Sequence, residues 1–236
     1  MALYTEEAVV LRNYKLGEAD RIIVLYSKGR GKVRGVAKGV RRTKSKFGSR
    51  LENGSIVSIQ LYEGRNLDTV TQVERNYVPK ADRTDIDHYS RVATMLEVVD
   101  RVTEDNVRDV HLFRLLSGAL TEFDSNPNPL VVTAFVAKLL LIEGVAPQVS
   151  QCSVCGSEKD LVAFQLSEGG VSCKDCRRGK TVSPEALEAL GKVFDGKVRD
   201  MLDSTPDKIV IELDCLTTHM IEAHTNSRLK SRAAFA

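Results

Sequence analysis

Two Cys-x-x-Cys pairs, Cys152-Ser153-Val154-Cys155 and Cys173-Lys174-Asp175-Cys176, have 17 residues between them, and this spacing constrains the fold more than any other feature of the chain. Each pair forms a tight turn that brings two sulfurs within reach of one metal, and Gly156, just after the first pair, suits the backbone of such a knuckle. The spacing lies within the range of a four-thiolate zinc site. Four thiolates fill a tetrahedral shell and leave no position for water or substrate, so the reading is one structural Zn2+ held by Cys152, Cys155, Cys173 and Cys176, without a catalytic role. Such binding is worth roughly 10 to 16 kcal/mol in zinc-finger peptides, enough to order an insert of about 30 residues that has little core of its own. An iron–sulfur cluster and a dithiol redox pair are the competing readings. The second lacks the flanking strand and helix of a thioredoxin-like motif. The fifth cysteine, Cys215, lies in an apolar helical stretch and is expected to be a buried small hydrophobe.

Thiols that serve as metal ligands fit a reducing compartment. No run of about 18 apolar residues exists, and the opening MALYTEEAVVLRNYK carries Glu6 and Glu7 where a signal peptide needs a basic and then an apolar stretch. The expectation is a protein that is neither membrane-spanning nor secreted, located in the cytoplasm. Hydrophobic residues at 42% and charged residues at 28% exclude a disordered or collagen-like chain.

The net charge of +2 hides an uneven distribution. Residues 1–79 hold 15 Lys and Arg against 8 Asp and Glu, so the rest of the chain is net acidic. From Lys28 to Arg50, ten cations (Lys28, Arg30, Lys32, Arg34, Lys38, Arg41, Arg42, Lys44, Lys46 and Arg50) occur with no acid among them. A patch of this kind attracts polyanions, and the reading is nucleic acid; the alternative is a solvated strand and loop. Arg34, Lys38, Arg41, Arg42, Lys44, Lys46 and Arg50 are the candidate nucleic-acid contacts. Lys230 and Arg232 join them from a basic C-terminal tail.

Hydrophobic periodicity changes once along the chain. Before Tyr77, five short runs rich in Val, Ile, Leu and Tyr are separated by glycine breaks: AVVLRNYKL, DRIIVLYS, KVRGVAK, SIVSIQLYE and LDTVTQVERNYV. Five strands in under 80 residues predict a small closed barrel of the OB type, with an SH3-like barrel as the alternative. After Pro79, HYSRVATMLEVVDRVT, DVHLFRLLSGALTEF and PLVVTAFVAKLLLIEG space their apolar residues by three and four, which predicts three helices, the last stopped by Gly144. Ser183 and Pro184 are placed to open a further helix as N-cap and first helical residue, and a final helix covers roughly 207–224. The fold class is therefore α+β: an N-terminal five-stranded OB-type β-barrel (1–79), an α-helical domain (80–146 and 181–236) and a four-cysteine zinc module (147–180) carried by it.

Other chemistry finds no support. Gly191 to Lys197 has the spacing of a phosphate-binding loop, but Val198 stands where the magnesium hydroxyl belongs. No H-x-E precedes the cysteines as a zinc deaminase requires, and the four histidines pair with no nucleophile that the sequence can establish. The chain is read as a non-enzyme. A nucleic-acid-binding protein without catalytic activity fits, and an RNA-binding or transcription-associated zinc protein is one such class.

The chain resembles the bacterial recombination-repair family RecO. The likeness is carried by Gly17-Glu18-Ala19-Asp20-Arg21 and Val36-Ala37-Lys38-Gly39-Val40-Arg41-Arg42, by FVAKLLLIEGVAP ahead of Cys152, and by Leu229-Lys230-Ser231-Arg232. The resemblance implies an OB barrel, a helical domain and a zinc module; binding to single- and double-stranded DNA; annealing of complementary strands; and cooperation with RecR to load RecA on DNA coated by single-strand-binding protein, near the bacterial nucleoid. At one place the chain departs from the pattern. Relatives often carry Arg just before the Phe that matches Phe135, a neighbourhood assigned to the acidic tail of single-strand-binding protein, whereas this chain has Thr133 and Ala134 there, with Lys138 one turn away.

Overall fold

The computed structural model describes residues 2–43, 45, 47–78 and 85–235. They form two compact units, Met1–Asn126 with Lys230–Ala236, and Pro127–Leu229. The barrel and the cysteine segment each stay whole, while the helices are shared between the units.

The first unit opens with five strands, β1 (Leu3–Leu16), β2 (Asp20–Ser27), β3 (Gly31–Ala37), β4 (Ile56–Tyr62) and β5 (Asp68–Tyr77). They close in the order β1-β2-β3-β5-β4, with β4 returning to β1. β3 and β5 pair in parallel and the other neighbours are antiparallel, which is the OB arrangement and not the SH3-like alternative. Alternation fills the interior with Ala8 and Val10, Ile23 and Leu25, Val57, Ile59 and Leu61, and Val70 and Val73, while Phe47 and Leu51 plug it from the loop after β3. At Gly35 a Cβ would lie 2.9 Å from Leu61 Cδ2 of β4 and 3.3 Å from Val70 Cγ2 of β5, so a larger residue at this inward position would require those side chains to shift. β1 begins five residues before the apolar run that marks it in the sequence. Leu3 to Glu7 pair with Tyr62 to Ser58 of β4, and that pairing, not burial, extends the strand.

The register of β1 slips between Val10 and Arg12. Without the bulge, Arg12 and Tyr14 would share the inward parity of Ala8 and Val10; the extra residue turns them outward. Two predicted helices complete this unit: α1 (Ile86–Val102), whose Asp85 N-cap accepts from His88 N, and α2 (Val110–Ser125), whose Asp109 N-cap accepts from His111 N and Leu112 N. The His88 ring stacks on Phe123 at 4.7 Å.

In the second unit, α3 (Leu130–Ile142) is buried along nearly its whole length, as an all-round apolar helix must be. It ends at Gly144, whose φ of +72° permits the predicted stop. A three-stranded sheet follows, β6 (Leu161–Gln165), β7 (Gly170–Cys173) and β8 (Lys180–Thr181), in the order β7-β6-β8. Then come α4 (Pro184–Phe194), α5 (Val198–Ser204) and α6 (Val210–His224). Ser183 caps α4 through Ala186 N, as expected. α4 and α6 pack on α3. Cys215 corrects the sequence reading, because it is exposed. α6 turns Leu213, Thr217, Met220 and Ile221 inward, and at about 100° per residue Cys215 lies some 200° from Leu213 on the opposite side. Among the described residues, no helix is long and apolar enough to cross a membrane.

Candidate metal centre and nucleic-acid interface

The four paired cysteines converge. Their sulfurs all lie within 4.8 Å of one another, and Cys155 Sγ is 3.7 Å from Cys173 Sγ. With metal–sulfur bonds of about 2.3 Å, the edges of a tetrahedral thiolate cage are about 3.8 Å, so the spread fits one ion. Two knuckles create this convergence. In the first, Gly156 N donates to Cys152 O (2.9 Å) and Cys152 N donates to Ser157 O (2.8 Å), with Gly156 at φ +76°. The second opens where β7 ends at Cys173, and β7 is registered on β6 by Leu161↔Cys173 and Gln165↔Gly170. The small sheet is thus the frame that holds the second pair opposite the first.

The electrostatics also call for a cation. Backbone N–H groups of Cys173 and Cys155 point at Cys152 and pull its thiol down to about 6, whereas the neighbouring Cys155 and Cys173 thiols push Cys176 up to about 12. Cys152 loses its proton readily, while hydrogen bonds to Cys155 and Cys173 hold Cys176 as a thiol and oppose its ionisation. A divalent ion at the centre removes that opposition.

The basic run divides into two parts. Its first four cations are engaged with acids: Lys28 with Glu7 (2.9 Å), Arg30 with Glu63 (3.5 Å), Lys32 with Asp100 (3.7 Å) and Arg34 with Asp105 (3.2 Å). Lys32 is buried at 6% exposure, and its Nζ donates to the carbonyls of Asp100 (2.8 Å) and Thr103 (2.6 Å) at the end of α1. It is a cap on a helix terminus and is withdrawn from solvent.

Beyond β3 the pattern reverses. Lys38, Arg41 and Arg42 are exposed and, among the described residues, make no ion pair. Gly39, at φ +66°, turns the chain here, and its N–H donates to Asp20 Oδ1 (2.7 Å). Arg41 N donates to Ala19 O (2.9 Å), and its guanidinium donates to Gly17 O (3.2 Å). The basic turn is therefore fastened to the β1–β2 hairpin while its charges face water. Arg50 is exposed and lines a groove of about 560 Å³ with Phe47, Arg75 and part of β5. Lys44 and Lys46 lie outside the described residues.

The C-terminal candidates sit on α1 of the first unit. Glu97 accepts from Lys230 N (3.0 Å) and Ser231 N (2.8 Å), and Ser90 Oγ donates to Ser231 O (2.7 Å). The basic tail is thus a docked 3-10 turn, Lys230–Phe235, with Lys230 exposed and Arg232 half-buried. Thr133 and Ala134 are buried in α3, and Lys138 is half-buried.

Residues 1–77 match the family model described as "Recombination protein O N terminal", and residues 83–233 match "Recombination protein O C terminal". The "DNA repair protein RecO" of a Nocardioides species is 40% identical over 240 residues, covering 98% of each chain. The chain belongs to the RecO family. That family consists of DNA-repair mediators and not of enzymes. Arg12 and Tyr14, which the charge run does not include, stand beside it on the outer face of the barrel. Arg12 reaches Asp100 at 2.8 Å and lies 4.6 Å above the Tyr14 ring. The sequence carries no local signal for this placement, because plain alternation from Ala8 and Val10 would turn both residues inward.

Proposed function

We propose that the chain is a recombination mediator that binds single- and double-stranded DNA, anneals complementary strands without consuming a nucleotide, and acts with RecR to load RecA on DNA coated by single-strand-binding protein in the bacterial cytoplasm. The observation that carries this reading is the basic turn at Lys38, Arg41 and Arg42, fastened to the barrel and unneutralised by any described acid. Annealing is already downhill once two strands meet. What opposes it is repulsion between polyanions, and cations that contact phosphates lower that repulsion while leaving base edges free to pair. Arg34, Arg50, Lys44, Lys46, Lys230 and Arg232 are proposed as further contacts. Arg34 contributes less because Asp105 already holds it. Thr133 and Ala134 are buried here, so single-strand-binding protein enters the proposal as the coat on the DNA.

The metal is proposed to be one zinc ion. Zinc suits a closed four-sulfur cage and needs no redox partner. Its role is to hold the two knuckles. The DNA-binding reading is tested by an Arg41→Glu, Arg42→Glu variant titrated with single strands and duplexes. Weakened binding to all sequences alike is expected, and wild-type affinity would remove the assignment.

A further inference from the structure

The bulge in β1 places a second kind of surface beside the basic turn. Tyr14 pairs with Ile22, and Ile22 with Val36, so these three residues form a row across the outer face of β1, β2 and β3. Tyr14 is 40% exposed, and Ile22 and Val36 are partly exposed. The next row on one side is Arg12, Val24 and Arg34, about 7 Å away at two residues of strand rise. On the other side the row is Leu16 and Asp20, the latter accepting from Gly39 N at 2.7 Å, with Lys38 two residues beyond Val36, followed by Arg41 and Arg42. An apolar strip carrying one aromatic ring therefore lies between Arg12 and Arg34, which Asp100 and Asp105 already pair, and the solvent-facing cations of the basic turn. The ring is held in place: Arg12 lies over it at 4.6 Å, and Arg12 is itself tied at 2.8 Å to Asp100, whose side chain is 10% exposed.

A duplex presents phosphates and groove edges to a flat surface, with its bases stacked on one another. A single strand presents phosphates and free base faces together. The strip matches the second ligand, because Lys38, Arg41 and Arg42 at its one edge suit phosphates and the ring beside them suits a base. Phe47, the one ring inside the basic run, is 2% exposed and serves the barrel core, so it cannot take this part. We infer that Tyr14 is a base-stacking residue, and that it makes the outer face of β1–β3 a single-strand site in which the cations carry affinity and the ring discriminates against duplex. This inference rests on the proposal that the barrel binds DNA through its basic turn.

The test measures binding of wild type, Tyr14→Ala, Tyr14→Phe and the Arg41→Glu, Arg42→Glu variant to three probes of equal length: an oligo-dT strand, a duplex and an abasic strand. Removing one stacked base costs about 5- to 150-fold in affinity. Tyr14→Ala should lose that factor on oligo-dT with an unchanged salt slope. It should match wild type on the duplex and on the abasic strand, and Tyr14→Phe should retain wild-type affinity for oligo-dT. Equal losses on oligo-dT and the abasic strand would overturn the stacking role, as would undiminished oligo-dT binding by Tyr14→Ala. If the arginine variant loses affinity for every probe while Tyr14→Ala loses none, the inference fails alone. If the arginine variant binds every probe like wild type, the underlying DNA-binding reading fails instead.

Discussion

Replacing Lys32 with Met should destabilise the protein without weakening its grip on DNA, although Lys32 sits in the middle of the basic run. The Lys32 side chain is 7% exposed, and its ammonium donates to the Asp100 and Thr103 carbonyls at 2.8 and 2.6 Å. Those carbonyls belong to the end of α1, where intrahelical donors have run out. Hydrogen bonds to a charged group contribute about 1.5 to 3 kcal/mol each, and removing one member of a buried pair costs about 3 to 5 kcal/mol. Two features favour the lower end of that range: Arg12 still holds Asp100 at 2.8 Å, and the methionine recovers apolar burial. The expected loss is about 3 kcal/mol, read as a fall of roughly 1 to 2 M in the urea midpoint of the transition that reports on the barrel unit. DNA affinity, measured without denaturant where the variant is still folded, should match wild type, whereas Arg42→Ala should show the converse pattern. A stability loss below about 1 kcal/mol, or a fall in affinity equal to that of Arg42→Ala, would refute the division of the run into structural and solvent-facing cations.

Three further outcomes are expected. Metal analysis should return about one zinc per chain; Cys173→Ser should lower that content and destabilise the second unit, while Cys215→Ser, on the exposed side of α6, should change neither. Glu97→Gln should weaken the docking of the tail by about 1 to 3 kcal/mol at neutral pH. Burial works against the Glu97 carboxylate, but the backbone N–H groups of Ser231 and Lys230 outweigh it and hold Glu97 below the usual carboxylate range. Its contribution is therefore full above the ordinary glutamate value and lost as the pH falls through the depressed one, so the stability gap between wild type and Glu97→Gln should close in acid. A gap that persists below both values would contradict the assignment. Finally, the slope of log affinity against log salt for a single strand should be about −2 if Lys38, Arg41 and Arg42 alone neutralise phosphates, and about −3.5 if Lys44 and Lys46 join them. A slope near zero would rule out phosphate contacts.

The sequence made the architecture legible where local and tertiary preferences agree. Five apolar runs between glycines became five strands, and the Ser183-Pro184 start and the Gly144 stop appear where capping chemistry puts them. The metal cage was legible because two tight turns leave four sulfurs little choice. What was hidden depends on pairing over long distances. The β1 bulge that exposes Tyr14 is a property of the β1–β2 register, and no local pattern announces it. The pairing of Lys28, Arg30, Lys32 and Arg34 with acids far along the chain made an acid-free stretch look more basic than it is. β6, β7 and β8 are too short to show a period, and they are ordered around the cysteines. Cys215 was misplaced because a helix with weak apolar contrast does not say which face is inward.

The central claim is that unneutralised cations on the barrel bring DNA strands together. An annealing time course with complementary oligonucleotides at low salt, with and without ATP, tests it most directly. Wild type should accelerate annealing equally in both conditions, and the Arg41→Glu, Arg42→Glu variant should fall toward the protein-free rate. Strict dependence on ATP, or full annealing by the arginine variant, would contradict the account.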